Sequence, residues 1–181
     1  MSLVDWTEHD LGVRGVILPV VTAPHAVLDQ PAQRVDPTDP KVVQLAADLV
    51  ATMRVSPGCV GLAAPQVSVG QQVFCVDVST HPKTRTSHGT FVLCNAEIVQ
   101  ATRRELGREG CLSVPDLTGD VRRAGRLSVA GMLPGSGEWI TIDTDAFEAR
   151  AVQHEIDHCA GLLFLDRVAG AHAVYPRRTY L

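Results

Sequence analysis

The stretch "QHEIDHCAGLLFLD" (153–166) constrains this chain more than any other. His154 and His158 stand four residues apart, with Glu155 and Asp157 between them. On a helix, positions i and i+4 lie about 40° apart around the axis, so both imidazoles point the same way. Two ligands of one metal need that geometry. Glu155 falls on the neighbouring side, where a general base holds a hydrolytic water. Asp157 is placed to orient a ligand from behind. The plain alternative is a core or surface helix that happens to carry histidines. Zinc proteases of the usual kind take their third ligand from beyond this helix. Here the downstream donors are Asp166 and His172, and His172 stands in a Gly/Ala-rich tail. A third ligand is therefore to be sought upstream, and the adjacent Cys159 is a rival candidate.

Such a helix needs a core to pack against. A chain of 181 residues, 45% of them hydrophobic, supports a single catalytic domain over 1–181. Residues 1–18 form an N-terminal arm and 168–181 an extended C-terminal tail. Pro24, Pro31, Pro37 and Pro40 mark 20–40 as loop. "DPTDPKVVQLAADLVATMRVSPG" predicts a helix, with Asp39 as cap and Pro40 at its first position. Val42, Leu45, Leu49 and Met53 form its apolar stripe, and Pro57–Gly58 ends it. Strands are predicted over 71–79, 90–99 and 126–133, with "EWITID" continuing extended. "THPKTRTSHG" is a polar connection. A helical pattern with Phe147, Val152 and Ile156 runs from about 144 to 160, and Gly161 stands at its stop. Strands, then a helix, then a tail indicate an α+β fold.

Charge and cysteine usage narrow the function classes. A net charge of −4 gives no electrostatic footprint for nucleic acid or an anionic membrane. No stretch reaches the ~20 apolar residues of a membrane span. "MSLVDWTEHD" lacks the basic start and apolar core of an export signal, so the expected location is cytoplasmic. The five cysteines include no CxxC pair and are expected to be reduced, each by default a small buried hydrophobe.

Two further stretches carry chemistry. In "REGCLSVPD" (108–116), Gly110 permits close backbone approach beside Cys111, although a core cysteine in a strand is the alternative. In "VGLAAPQV" (60–67), Gln66 is a neutral polar side chain in apolar surroundings. Its amide either ties two loops together or donates to a developing oxyanion.

Taken in order, Gly-Leu-Ala-Ala-Pro-Gln, Glu-Gly-Cys-Leu-Ser and Gln-His-Glu-x-Asp-His resemble the three signatures of the peptide deformylase family, from about Pro19 to Arg167. Gln66, Cys111 and His154 are separated by 45 and 43 residues, spacings like the family's. The resemblance implies mixed or antiparallel sheets around a central HExxH helix, with one N-terminal helix. It implies a hydrolase that removes the formyl group from the N-terminal formyl-methionine of new bacterial or organellar chains. Cys111, His154 and His158 would hold one divalent ion, typically Fe(II), with Zn, Ni or Co as substitutes. Three protein ligands leave the open position that a catalytic ion requires. Glu155 would be the acid/base, and Gln66 with the backbone N–H of Leu112 the oxyanion donors. Val60, Gly61 and Gly110 would hold the peptide through their backbones like an added strand. Glu109, Arg123 and Asp157 would form a charge network behind the ligands, with a surface ion pair as the alternative. The partners implied are formyl-Met peptide ends, met at the ribosome, with no nucleic acid or membrane and a monomeric enzyme.

The chain departs from the family pattern at several positions. Cys59 replaces a usual glycine, Cys159 a leucine and Ala96 a proline. Thr118 replaces an arginine, and Gly107 an apolar residue of the methionine pocket. Cys59, Gly107 and Thr118 bear on pocket shape, so a catalytically weak, deformylase-like binder of formyl-peptides or inhibitors is the second reading. An unrelated metalloprotease is a third. Cys159 follows His158 directly and points about 100° away around the helix, which fits a packed thiol rather than a ligand.

Overall fold

The computed structural model describes residues 11–178. Its frame is a six-stranded sheet whose ladder pairings are all antiparallel: β1 (Gly61–Ala63), β2 (Val73–Val76), β3 (Phe91–Cys111), β4 (Val114–Met132) and β5 (Trp139–Asp145), in that spatial order, with β6 (Val174–Pro176) on β4. Two described α-helices pack on it, α1 (Pro40–Val55) and α2 (Ala146–Cys159). Neither is long and apolar enough to cross a membrane.

Both helices form as their sequences dictate. The Asp39 carboxylate accepts the Lys41 N–H at 2.9 Å, and Pro40 takes the first position, where no N–H is needed. Leu45, Leu49 and Met53 are buried on one stripe. At the other end of the sequence, Gly161 adopts φ +75° beyond α2, while the Leu162 N–H returns to the Asp157 carbonyl at 2.9 Å. A side chain at 161 would also meet the Gln30 backbone at 2.7 Å, so only glycine closes this helix here.

The sheet is covered on both faces where β2 and β3 cross it. Phe74, Val76, Phe91 and Leu93 pack with Val152 and Ala149 of α2. The alternating residues Val73, Cys75, Val92 and Cys94 pack with Leu45, Leu49 and Met53 of α1. Period-2 alternation therefore sends one set of apolar side chains to each helix. That is why β2 is buried at all four positions and reads as a continuous apolar run.

The strand expected over 90–99 extends to Cys111, and that expected over 126–133 begins at Val114 and ends at Met132. Together they make a long hairpin, turning at Leu112–Ser113, that the polar sequence conceals. Residues 97–106 of β3 face solvent, so "EIVQATRREL" lacks a buried alternation to announce a strand. The expected tail is extended over Val174–Pro176, and residues 179–181 lie outside the described residues. Of the N-terminal arm, residues 1–10 also lie outside them. Val16 and Leu18 are tied to α1 by N–H bonds to Asp48 Oδ1 (2.7 Å) and Thr52 Oγ1 (2.9 Å).

Candidate metal centre

Three segments far apart in sequence meet around one cleft. α2 presents His154, Glu155 and His158, β3 ends on Cys111, and the turn after β1 supplies Gln66. Among the described residues, Cys111, His154 and His158 form a group whose ligand atoms all lie within 4.8 Å of one another. Cys111 Sγ is 3.3 Å from His158 Nε2. His154 Nδ1 is 2.9 Å from Glu109 Oε2, which leaves its Nε2 for a ligand role. Burial pushes His158 well below the usual imidazole range, holding it in the neutral form that binds metals. Against the cost of burial, hydrogen bonds with Cys111 and Glu109 move His154 the other way.

Glu155 is 3% exposed, and burial pushes its carboxyl up to about 7. Its Oε2 is buried without a hydrogen-bond partner. The approach of this carboxylate depends on Gly61: a Cβ there would stand 2.5 Å from Glu155 Oε1. Gly61 is thus required by packing as well as by any role toward a peptide.

Gln66 is 2% exposed, and both ends of its amide are held. The Ala63 N–H donates to Oε1 at 3.0 Å, which turns Nε2 toward Ser113 Oγ (3.3 Å) and Cys111 Sγ (3.4 Å). The donor therefore lies beside the proposed ligand sulfur. Leu112 occupies the hairpin turn and lines the same cleft.

Glu109, Arg123 and Asp157 are each 6% exposed, so the trio is a buried network and not a surface ion pair. Arg123 grips Glu109 through two bonds of 2.9 and 3.0 Å and also bonds Asp157. Despite burial, hydrogen bonds from His154 and Arg123 hold the Glu109 carboxyl far below the usual carboxylate range. Two arginines join the network that the motifs do not mark. Arg167 reaches Asp157 Oδ1 at 2.8 Å, and Arg150 reaches Glu109 Oε1 at 2.8 Å. Arg150 stands at an i−4 spacing from His154, a signal the sequence does contain. Ser113, fully buried against Gln66, carries no such signal.

The departures also find their places. Cys159 packs with apolar residues, outside the ligand group, and burial pushes its thiol up to about 12. Cys59 Sγ donates to the Gly61 carbonyl at 3.1 Å. Thr118 accepts from Arg108 Nη1 at 3.4 Å, so an arginine reaches this position from the neighbouring strand. Ala96 packs at the margin of the core. The space in front of Gly107 holds the Arg150 guanidinium, 2.7 Å from where a Cβ would be. β1 is the end strand of the sheet, which leaves one edge for an added strand. The Val60 carbonyl turns inward and accepts the Asp77 N–H at 2.9 Å, while Val60 and Gly110 line the cleft.

A thiol and two imidazoles within reach of one ion, beside a partnerless buried carboxylate and a held amide donor, fit a divalent metal. That donor set and its open side define a hydrolytic metal centre on an α+β sheet. The sequence profile of the polypeptide deformylase family matches residues 17–173, and the chain belongs to that family. It is 40% identical over 152 residues to peptide deformylase 1 of Bacillus cereus, covering 84% of this chain and 92% of that one. It is 42% identical over 142 residues to the peptide deformylase of Halothermothrix orenii, covering 78% and 87%. The crystal structure of the Acinetobacter baumannii class I type b enzyme with Met-Ala-Ser bound superposes with a TM-score of 0.77 at 36% identity, covering 84% of this chain and 100% of that one. The Thermotoga maritima enzyme gives 0.77 at 30%, covering 86% and 99%.

Proposed function

We propose that this protein removes the formyl group from the N-terminal formyl-methionine of newly made polypeptides and releases formate. Family membership supports the reaction, and one observation carries its placement: Cys111, His154 and His158 converge within 4.8 Å beside the unpartnered Oε2 of Glu155. One divalent ion held by Cys111 Sγ and one ring nitrogen from each histidine would supply Lewis-acid chemistry, acidifying a water and polarising a carbonyl. Fe(II) is the physiological ion, with Zn, Ni or Co filling the same N₂S set.

The chain's own groups then divide the work. Glu155 takes a proton from the attacking water and returns it to the amine nitrogen as the C–N bond breaks, so one carboxylate serves both halves of the hydrolysis. Its raised pKa suits that exchange near neutral pH. Gln66 Nε2 and the Leu112 backbone N–H donate to the oxygen that gains charge. The Ala63 N–H already orients the Gln66 amide, so Nε2 need only exchange one of its long contacts, with Cys111 Sγ or Ser113 Oγ, for the substrate oxygen. Glu109 accepts from His154 Nδ1 and fixes that ring, while Arg123 and Asp157 hold Glu109 and α2 in register. The peptide adds along the cleft past Val60, Gly61 and Gly110. The protein acts through a single catalytic domain, as a cytoplasmic bacterial monomer on chains emerging from the ribosome.

Formate release from a formyl-Met peptide, compared anaerobically for the Fe(II), Zn and Ni forms, tests this reading. Turnover highest with Fe(II) is expected. No formate from any metal form would overturn it.

A further inference from the structure

Three arginines line the cleft, and among the described residues two of them are paired with carboxylates while the third is not. Arg108, Arg150 and Arg177 line the same cleft as Cys111 and Glu155. Arg108 pairs with Asp120 at 2.7 Å and lies over the Tyr175 ring, 3.7 Å from its centroid. Arg150 pairs with Glu109 and donates to the carbonyls of Glu105 (2.9 Å) and Val121 (3.0 Å). Arg177, among the described residues, has no carboxylate partner. Its Nη1 makes a 3.5 Å contact with the Pro115 carbonyl.

The position of Arg177 is set by backbone pairing rather than by its side chain. β6 pairs with β4 through Thr118↔Tyr175 and Leu117↔Pro176, and the Arg177 N–H continues the ladder to the Asp116 carbonyl at 2.8 Å. From there the guanidinium crosses over Gly110: a Cβ on Gly110 would stand 2.6 Å from Nη2. Gly110 directly precedes Cys111 in the chain. A peptide lying along the cleft past Gly110 therefore runs beneath this guanidinium.

We propose that Arg177 reads the substrate, binding a carboxylate that the peptide carries downstream of its formyl-methionine. This rests on the deformylase reading above. A formylated amino terminus is uncharged, so the reacting end brings no charge of its own to this cation. The carboxylate is either an Asp or Glu side chain or the C-terminal carboxylate of a short peptide, and a guanidinium takes both through the same paired N–H bonds. Arg177 is exposed, so water and salt weaken the pair, and the preference expected is about two- to fivefold. It falls on KM, because a contact remote from the breaking bond is the same in ground and transition states.

Two peptide pairs separate the sources. One compares Asp with Asn at the second and third residues after formyl-Met, all C-terminally amidated. The other compares formyl-Met-Ala-Ala as free acid and as amide. For wild type at low salt, KM is expected to be lower for the carboxylate member of at least one pair, and the pair that responds identifies the source. The advantage should shrink in about 0.5 M salt, disappear in Arg177→Gln and reverse in Arg177→Glu. Equal KM values within both pairs, or a preference that survives in both variants, would overturn the assignment. Wild type that releases no formate from any of these peptides would instead overturn the deformylase reading itself.

Discussion

One methyl group separates Gly61 from a residue that the site has no room to accept. The Glu155 carboxylate lies where a side chain at 61 would begin, 2.5 Å from Oε1. Gly61→Ala must therefore displace the proposed acid/base or the end strand. Misplacement of a reacting group by about 1 Å costs on the order of 10²-fold. We expect kcat to fall by about that much with metal content unchanged, measured by formate release and metal analysis; unaltered kcat would contradict the packing argument. The two cysteines near the motif also separate at this scale. Cys159→Leu fills an apolar site and should keep both metal and activity. Cys111→Ala should lose both, as read by metal stoichiometry after anaerobic loading. The reverse pattern would move the ligand from β3 to α2.

The long β3–β4 hairpin carries Glu105, Gly107 and Glu109 past α2, and Arg150 clasps it from the helix. Gly107 and Arg150 form one unit, since the guanidinium fills the place of a side chain at 107. Gly107→Ile alone should cost about 1–3 kcal/mol by overpacking. Combined with Arg150→Ala, the loss should be smaller than the sum of the single losses by about 0.5–3 kcal/mol in urea unfolding. Additive losses would mean the two residues are independent. This pair also shows where the sequence stops being legible. The i, i+4 histidines, the Asp39–Pro40 helix start and the Gly161 stop each follow from local rules, and the structure places them as expected. The hairpin does not, because its solvent-facing residues 97–106 carry no alternation of their own. Cys111 could be proposed as a ligand only by resemblance, since no local rule links a cysteine in a strand to a helix 43 residues on. Arg150 shares a helix face with His154 by its i−4 spacing, but its partner Glu109 and the buried contact of Ser113 with Gln66 exist only after folding.

On the scale of the molecule, the proposed ion joins the end of β3 to the C-terminal half of α2, two elements that Glu109 already links through Arg150 and His154. An ion bound only by the folded chain stabilises it by mass action, about 2.7 kcal/mol at a free concentration of 100 times Kd. For a chain of this size that corresponds to roughly 5–10 °C in Tm. Chelation should lower Tm by that amount and re-addition of the ion should restore it, followed by circular dichroism. A Tm indifferent to chelator, in protein shown to have lost its metal, would mean that the ion bridges nothing of structural weight.

In the proposed site, Cys111, His154 and His158 bind the ion while Glu155 moves the proton. Glu155→Ala separates these two functions in one protein. Metal analysis of the anaerobically loaded variant should give one ion per chain, as in wild type, while formate release from a formyl-Met peptide falls at least 10²-fold, on the order of what general acid–base catalysis contributes. Full formate release by Glu155→Ala would contradict the account.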